Sequence, residues 1–143
     1  VSKVNPVEDA FLHYTDELLV LMPDMPDVYL EKRKDAGDDG RHYAYCVVEG
    51  SEIIIAYAPD MPDLPVPQIN GLILHEIGHA IEFAYSRDHV EMLLDVRLSD
   101  DPEERADQIV EYVFGETIQY ELPDYIQCVG VDCEGGARPE GLR

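Results

Sequence analysis

His75-Glu76-Ile77-Gly78-His79 is the stretch of this chain whose residue types and spacing could do chemistry most directly. On a helix, side chains four residues apart lie one above the other, so both imidazoles can grip one metal ion. Glu76, between them, is placed to reach a water on that ion, and a cation beside a carboxylate base activates water. The run from Gln68 to Tyr85 reads as a helix that is apolar nearly all round, and such a helix is buried. Two histidines and a glutamate there cost on the order of several kcal/mol unless they are paired or metal-bound. A helix with satisfied core histidines is the plain alternative.

Two histidines do not complete a site. A catalytic zinc takes a third protein ligand and keeps one position for water. The segment Glu103-Glu104-Arg105-Ala106-Asp107 offers acids on a second helix, whose apolar stripe is Ala106, Ile109, Val110, Val113 and Phe114. Glu103 and Asp107 extend that stripe, whereas Glu104 and Glu111 fall toward the polar side. Carboxylates on a core-facing side need a cation or donors. Glu103 could instead stabilise the positive end of its helix. Glu104, three residues after Asp101, fits a capping role better. Asp107 could also pair with Arg105 or face solvent.

HExxH followed by E-x-x-A-D resembles the gluzincin metallopeptidases, and the second motif is similar to that of HtpX, CAAX-processing and ImmA-like peptidases. The resemblance covers residues 53–120. It implies a zincin-like fold, one zinc ion per chain, Glu103 as third ligand, and Asp107 accepting a hydrogen bond from a ligating histidine. It implies hydrolysis of peptide bonds, with Glu76 as general base. The metzincin pattern does not fit, because it needs Gly at 82 and His at 85, where this chain has Glu82 and Tyr85. Tyr85, Tyr112, His89 and His42 are all open as oxyanion donors, and none is selected. His13, His42 and His89 read as surface or supporting histidines. Two alternatives stay beside the enzyme reading: a catalytically silent zinc-binding interaction module, and a regulatory peptidase acting on a single partner.

With 143 residues and 45 % hydrophobic content, the chain reads as one domain with a real core. The net charge of −21 argues against nucleic-acid binding and could attract basic peptides or proteins. No run approaches a membrane span, and residues 1–8 lack the basic and apolar regions of a signal peptide. The expectation is a cytoplasmic protein with a peptide or protein substrate and no membrane partner. Cys46 reads as a buried free thiol. Cys128 and Cys133 read as a local disulfide or two free thiols, since further zinc ligands are missing nearby.

The elements that must position these residues form an α+β pattern. Asn5, Pro6 and Glu8 mark a helix start, with apolar residues at helical spacing up to Pro23. Strands follow over 28–34, 41–48 and 51–58, with a tight hairpin at Glu49-Gly50, and sequence order suggests a three-stranded meander. The third strand would edge the cleft and pair with substrate, although Ile53-Ile54-Ile55 equally suits an interior strand. After the Pro-rich loop 59–67 come the HEIGH helix, a short helix within 87–98, and a helix capped by Asp101 that runs to Tyr120. Residues 123–143 read as an irregular tail.

Overall fold

A computed structural model describes residues 5–36 and 43–114. Helix α1 (Pro6–Leu21) starts where the Asn5 side chain accepts from the N–H groups of Val7 and Glu8. Asn5 also donates from Nδ2 to the Tyr57 hydroxyl at 3.1 Å, tying the helix start to the sheet. Strands β1 (Val28–Lys32), β2 (Ala44–Glu49) and β3 (Glu52–Tyr57) follow, then helices α2 (Val66–Tyr85), α3 (Arg87–Leu94) and α4 (Pro102–Phe114). The protein is therefore α+β, with an N-terminal helix, a three-stranded mixed sheet and three further helices among the described residues. None of the helices described is long and apolar enough to cross a membrane.

The sheet is not a meander. Its order is β1-β3-β2, with β3 parallel to β1 and antiparallel to β2. Hydrophobicity explains the placement. Residues 53–57 of β3 are all at least 94 % buried, which demands cover on both faces and both edges. β1 exposes Tyr29, Glu31 and Lys32, and β2 exposes Val48 and Glu49, so these take the edges. The β2–β3 turn is Gly50-Ser51, between the paired Glu49 and Glu52. Gly50 has φ +63, as the first centre of a two-residue II′ turn needs.

Ile53, Ile55 and Tyr57 point into the core with Leu72, Ile73 and Ile77 of α2. On the same sheet face, Ala44 and Cys46 of β2 pair with Tyr57 and Ile55, so they too look toward α2. Across the other face Arg33 ties the strands together, bonding Glu31 at 2.9 Å and Glu49 through two bonds of 2.9 Å. α2 and α4 cross at Gly78. A Cβ there would collide with the backbone oxygen of Ala106 and lie 2.8 Å from its carbonyl carbon, so only glycine permits this approach.

Candidate metal centre

Asp101 starts α4 by accepting from the Glu103 N–H at 3.0 Å, and its own carbonyl accepts from the Arg105 N–H. That start sets the helix phase. Glu103 and Asp107, one turn apart, face α2, while Glu104 is exposed and accepts from the Ser99 hydroxyl at 2.7 Å. The close crossing at Gly78 and Ala106 then lays both acids against the histidines.

His75 is 1 % exposed and lies between two carboxylates. Its Nδ1 is 2.9 Å from Asp107 Oδ1, and its Nε2 is 2.7 Å from Glu103 Oε1. His79 Nε2 stands 3.3 Å from the same Glu103 oxygen. The ligand atoms of His75, His79 and Glu103 all lie within 4.8 Å of one another. Arg105 bonds Glu82 of α2 at 2.8 Å.

The electrostatics follow from this packing. Burial pulls the His75 imidazole down, but the carboxylates of Asp107, Glu103 and Glu76 outweigh it and hold the group well above the usual histidine value. Burial pushes Glu103 up, yet its bonds with His75 and His79 carry it far below the ordinary carboxylate range. With a carboxylate at each nitrogen, His75 is held as an imidazolium donating from both. The proton on Nε2 occupies the electron pair that a metal ion would take, so proton and cation compete for one place.

The donor set fits a divalent ion. Two imidazoles and a carboxylate suit zinc and other first-row metals, so the set does not by itself fix the identity. A tetrahedral site with bonds of ~2.1 Å spaces its ligands ~3.4 Å apart. The 3.3 Å contact has that spacing and the 2.7 Å contact is shorter, while all three ligand atoms lie within 4.8 Å, so an ion would draw the imidazoles together as Glu103 swings outward. Once the Nε2 proton is lost, the Asp107 bond would keep the remaining proton on Nδ1 and leave Nε2 to the ion.

A cleft of about 420 Å³ opens at this centre, lined by Glu76, His79 and Glu103 together with Ala44, Tyr45 and Cys46 of β2. Glu76 is 6 % exposed and belongs to the wall rather than to the triad. The strand beside the cleft is thus the edge strand β2, and β3 is the interior strand. Burial, with Glu76 close by, pushes the Cys46 thiol strongly up and keeps it protonated.

Other sequence candidates fall elsewhere. Tyr85, His89 and Tyr112 line a second cavity with Leu21 and Met22, not this cleft. His13 is exposed and stacks edge-on with Tyr14. His42, Cys128, Cys133, the extension of α4 to Tyr120 and the tail 123–143 lie outside the described residues. Tyr45, Cys46, Glu82 and Arg105 are cleft residues that the motifs did not indicate. A signal for the crossing was present in Gly78, since glycine inside a helix costs about 1 kcal/mol relative to alanine and usually marks a close approach. Compared with protein families, curated proteins and solved structures, the chain matches none.

Proposed function

We propose that the protein is a zinc-dependent peptidase in which His75, His79 and Glu103 hold the ion and Glu76 is the general base. One observation carries the reading: three ligand atoms converge within 4.8 Å at a cleft that a further carboxylate, Glu76, also lines. An ion held there supplies Lewis acidity and lowers the pKa of its water toward neutrality. Glu76 takes the proton of the attacking water on a carboxylate oxygen and passes it to the leaving amine. Asp107 keeps the His75 Nδ1–H engaged, so the imidazole stays oriented.

The edge strand supports a peptide as substrate. The Ala58 N–H donates to the Tyr43 carbonyl, and this bond fixes the alternation along β2. Ala44, Cys46 and Val48 accordingly turn their N–H and C=O groups away from β3, toward the edge of the sheet that no described strand covers. An extended peptide can add there as a strand, across the cleft from Glu76.

Metal analysis of the purified protein, with a peptide-cleavage assay, tests this. One zinc per chain is expected, and Glu76→Gln should keep the metal while losing cleavage by about 10²-fold or more. A folded wild type that takes up no zinc, or a Glu76→Gln variant that cleaves at the wild-type rate, refutes the assignment.

A further inference from the structure

Arg105 sits between the two acids of α4 that face α2, and it lines the cleft with Glu76, His79 and Glu103. Its Nε–H donates to Glu82 Oε1 at 2.8 Å, and Nη1 donates to the carbonyls of Ser99 at 2.9 Å and Asp100 at 3.1 Å. Those three bonds fix the guanidinium plane in a side chain only 11 % exposed. The other terminal nitrogen, Nη2, carries two N–H donors, and no described residue accepts them. Arg105 lines the open cleft, so an acceptor entering it would gain a charge-assisted hydrogen bond there. Glu82, which anchors the group, lies three residues beyond His79 on α2, where helical neighbours are about 5–6 Å apart at Cβ.

We propose that Nη2 of Arg105 is a carboxylate anchor of the cleft, selecting peptides that carry a carboxylate about one helical turn from the metal triad. The proposal rests on the peptidase reading. With Nε and Nη1 already bonded, Nη2 alone offers a charge-assisted hydrogen bond to a carboxylate oxygen. The carboxylate has two possible sources, the peptide's own C-terminus or an acidic side chain. A terminal carboxylate places cuts at a constant short distance from the C-terminus. A side-chain carboxylate places them at a constant distance from Asp or Glu.

The test uses short peptides of one core composition, made as free acids and as C-terminal amides, each with and without one internal Asp. Binding is measured by calorimetry on zinc-loaded Glu76→Gln protein, and wild-type cleavage positions are read by mass spectrometry. The preferred carboxylate form should bind about 10–100-fold tighter than the amide lacking Asp, the range a charged hydrogen bond supplies. Arg105→Gln should abolish the preference. Glu82→Gln takes away the carboxylate that shares the Arg105 charge while leaving an acceptor for Nε, and should widen the preference; an unchanged preference in that variant overturns the anchor even if Arg105→Gln does not fold. Equal binding of all four peptides to the Glu76→Gln protein and to its Glu82→Gln double variant overturns the anchor and leaves the peptidase reading standing. The same holds if Arg105→Gln weakens acids and amides alike, since Arg105 would then only pin residues 99–100 to α2. Failure of every peptide to bind or be cut overturns both.

Discussion

Glu103 and Glu104 are adjacent acids with opposite tasks, and the difference is the helix phase. Glu103 meets both imidazoles, whereas Glu104 takes the Ser99 hydroxyl at the exposed helix start. Glu103→Ala should therefore lower zinc affinity by at least about 10²-fold, while Glu104→Ala should cost only an exposed first-turn acid, about 0.3–1 kcal/mol of stability. Competitive zinc titration and thermal unfolding separate the two, and equal zinc losses would mean that the phase is wrong. The pH dependence has a defined sign. His75, raised in the fold, contributes stability below its ordinary value of 6.5 and loses it as pH rises through the folded value. Glu103, lowered in the fold, contributes above its ordinary 4.5 and loses stability as pH falls. Metal-free protein should thus hold its cluster from above the ordinary Glu range up to the raised His75 value. Zinc must displace the His75 proton, so across that window its affinity should rise with pH, releasing about one proton per ion. Calorimetry in buffers of different ionisation enthalpy measures that release, and a pH-independent affinity would contradict the buried imidazolium.

At the scale of elements, the crossing of α2 over α4 decides whether the site exists. Gly78→Ala would gain helix propensity of up to about 1 kcal/mol in isolation. Here the new methyl meets the Ala106 backbone, which cannot rotate away as a side chain can. Overpacking of this kind costs about 1–3 kcal/mol and should push α4 outward, carrying Glu103 and Asp107 from the histidines. The variant should melt lower and bind zinc more weakly; unchanged values for both would show that the helices separate without disturbing the triad. The two motifs were legible in the sequence because helical spacing fixes faces without knowledge of the fold. The phase of α4 was legible for the same reason, with Asp101 and Pro102 marking its start. Strand order was not, because hairpin signals say which strands follow one another, not which lie side by side. The burial of residues 53–57 puts β3 in the middle, with β1 parallel and β2 antiparallel beside it. Tyr45 and Cys46 were hidden for this reason: they reach the cleft only because β2 is the edge. Arg105 was hidden because a lone arginine between two acids reads as their partner, while its actual partner, Glu82, lies on another helix.

The whole molecule carries 31 acidic against 10 Lys and Arg residues, for a net charge of −21. A field of that sign acts before contact, at ranges where single side chains are not resolved. It concentrates cations and repels anions, changing association rates by about 10–10³-fold in strongly charged systems. Under the proposed peptidase reading, the anchor at Arg105 and the long-range field would favour different ends of one substrate: a basic body would approach faster, and a carboxylate would seat it. At low salt, a Lys-rich peptide should be cut with a higher kcat/KM than a Glu-rich peptide of equal length. Raising ionic strength from ~0.01 M to ~1 M shortens the screening length from ~30 Å to ~3 Å, and that ratio should shrink toward unity. Whichever carboxylate Arg105 prefers, that preference should persist through the same titration, because the Arg105 side chain is mostly out of solvent and close contacts there are screened far less. Stopped-flow binding to the zinc-loaded Glu76→Gln protein should place the salt effect in the on-rate rather than the off-rate. A Lys-rich to Glu-rich ratio that stays constant with salt would assign the acidic surface to solvation alone and remove substrate steering from the account.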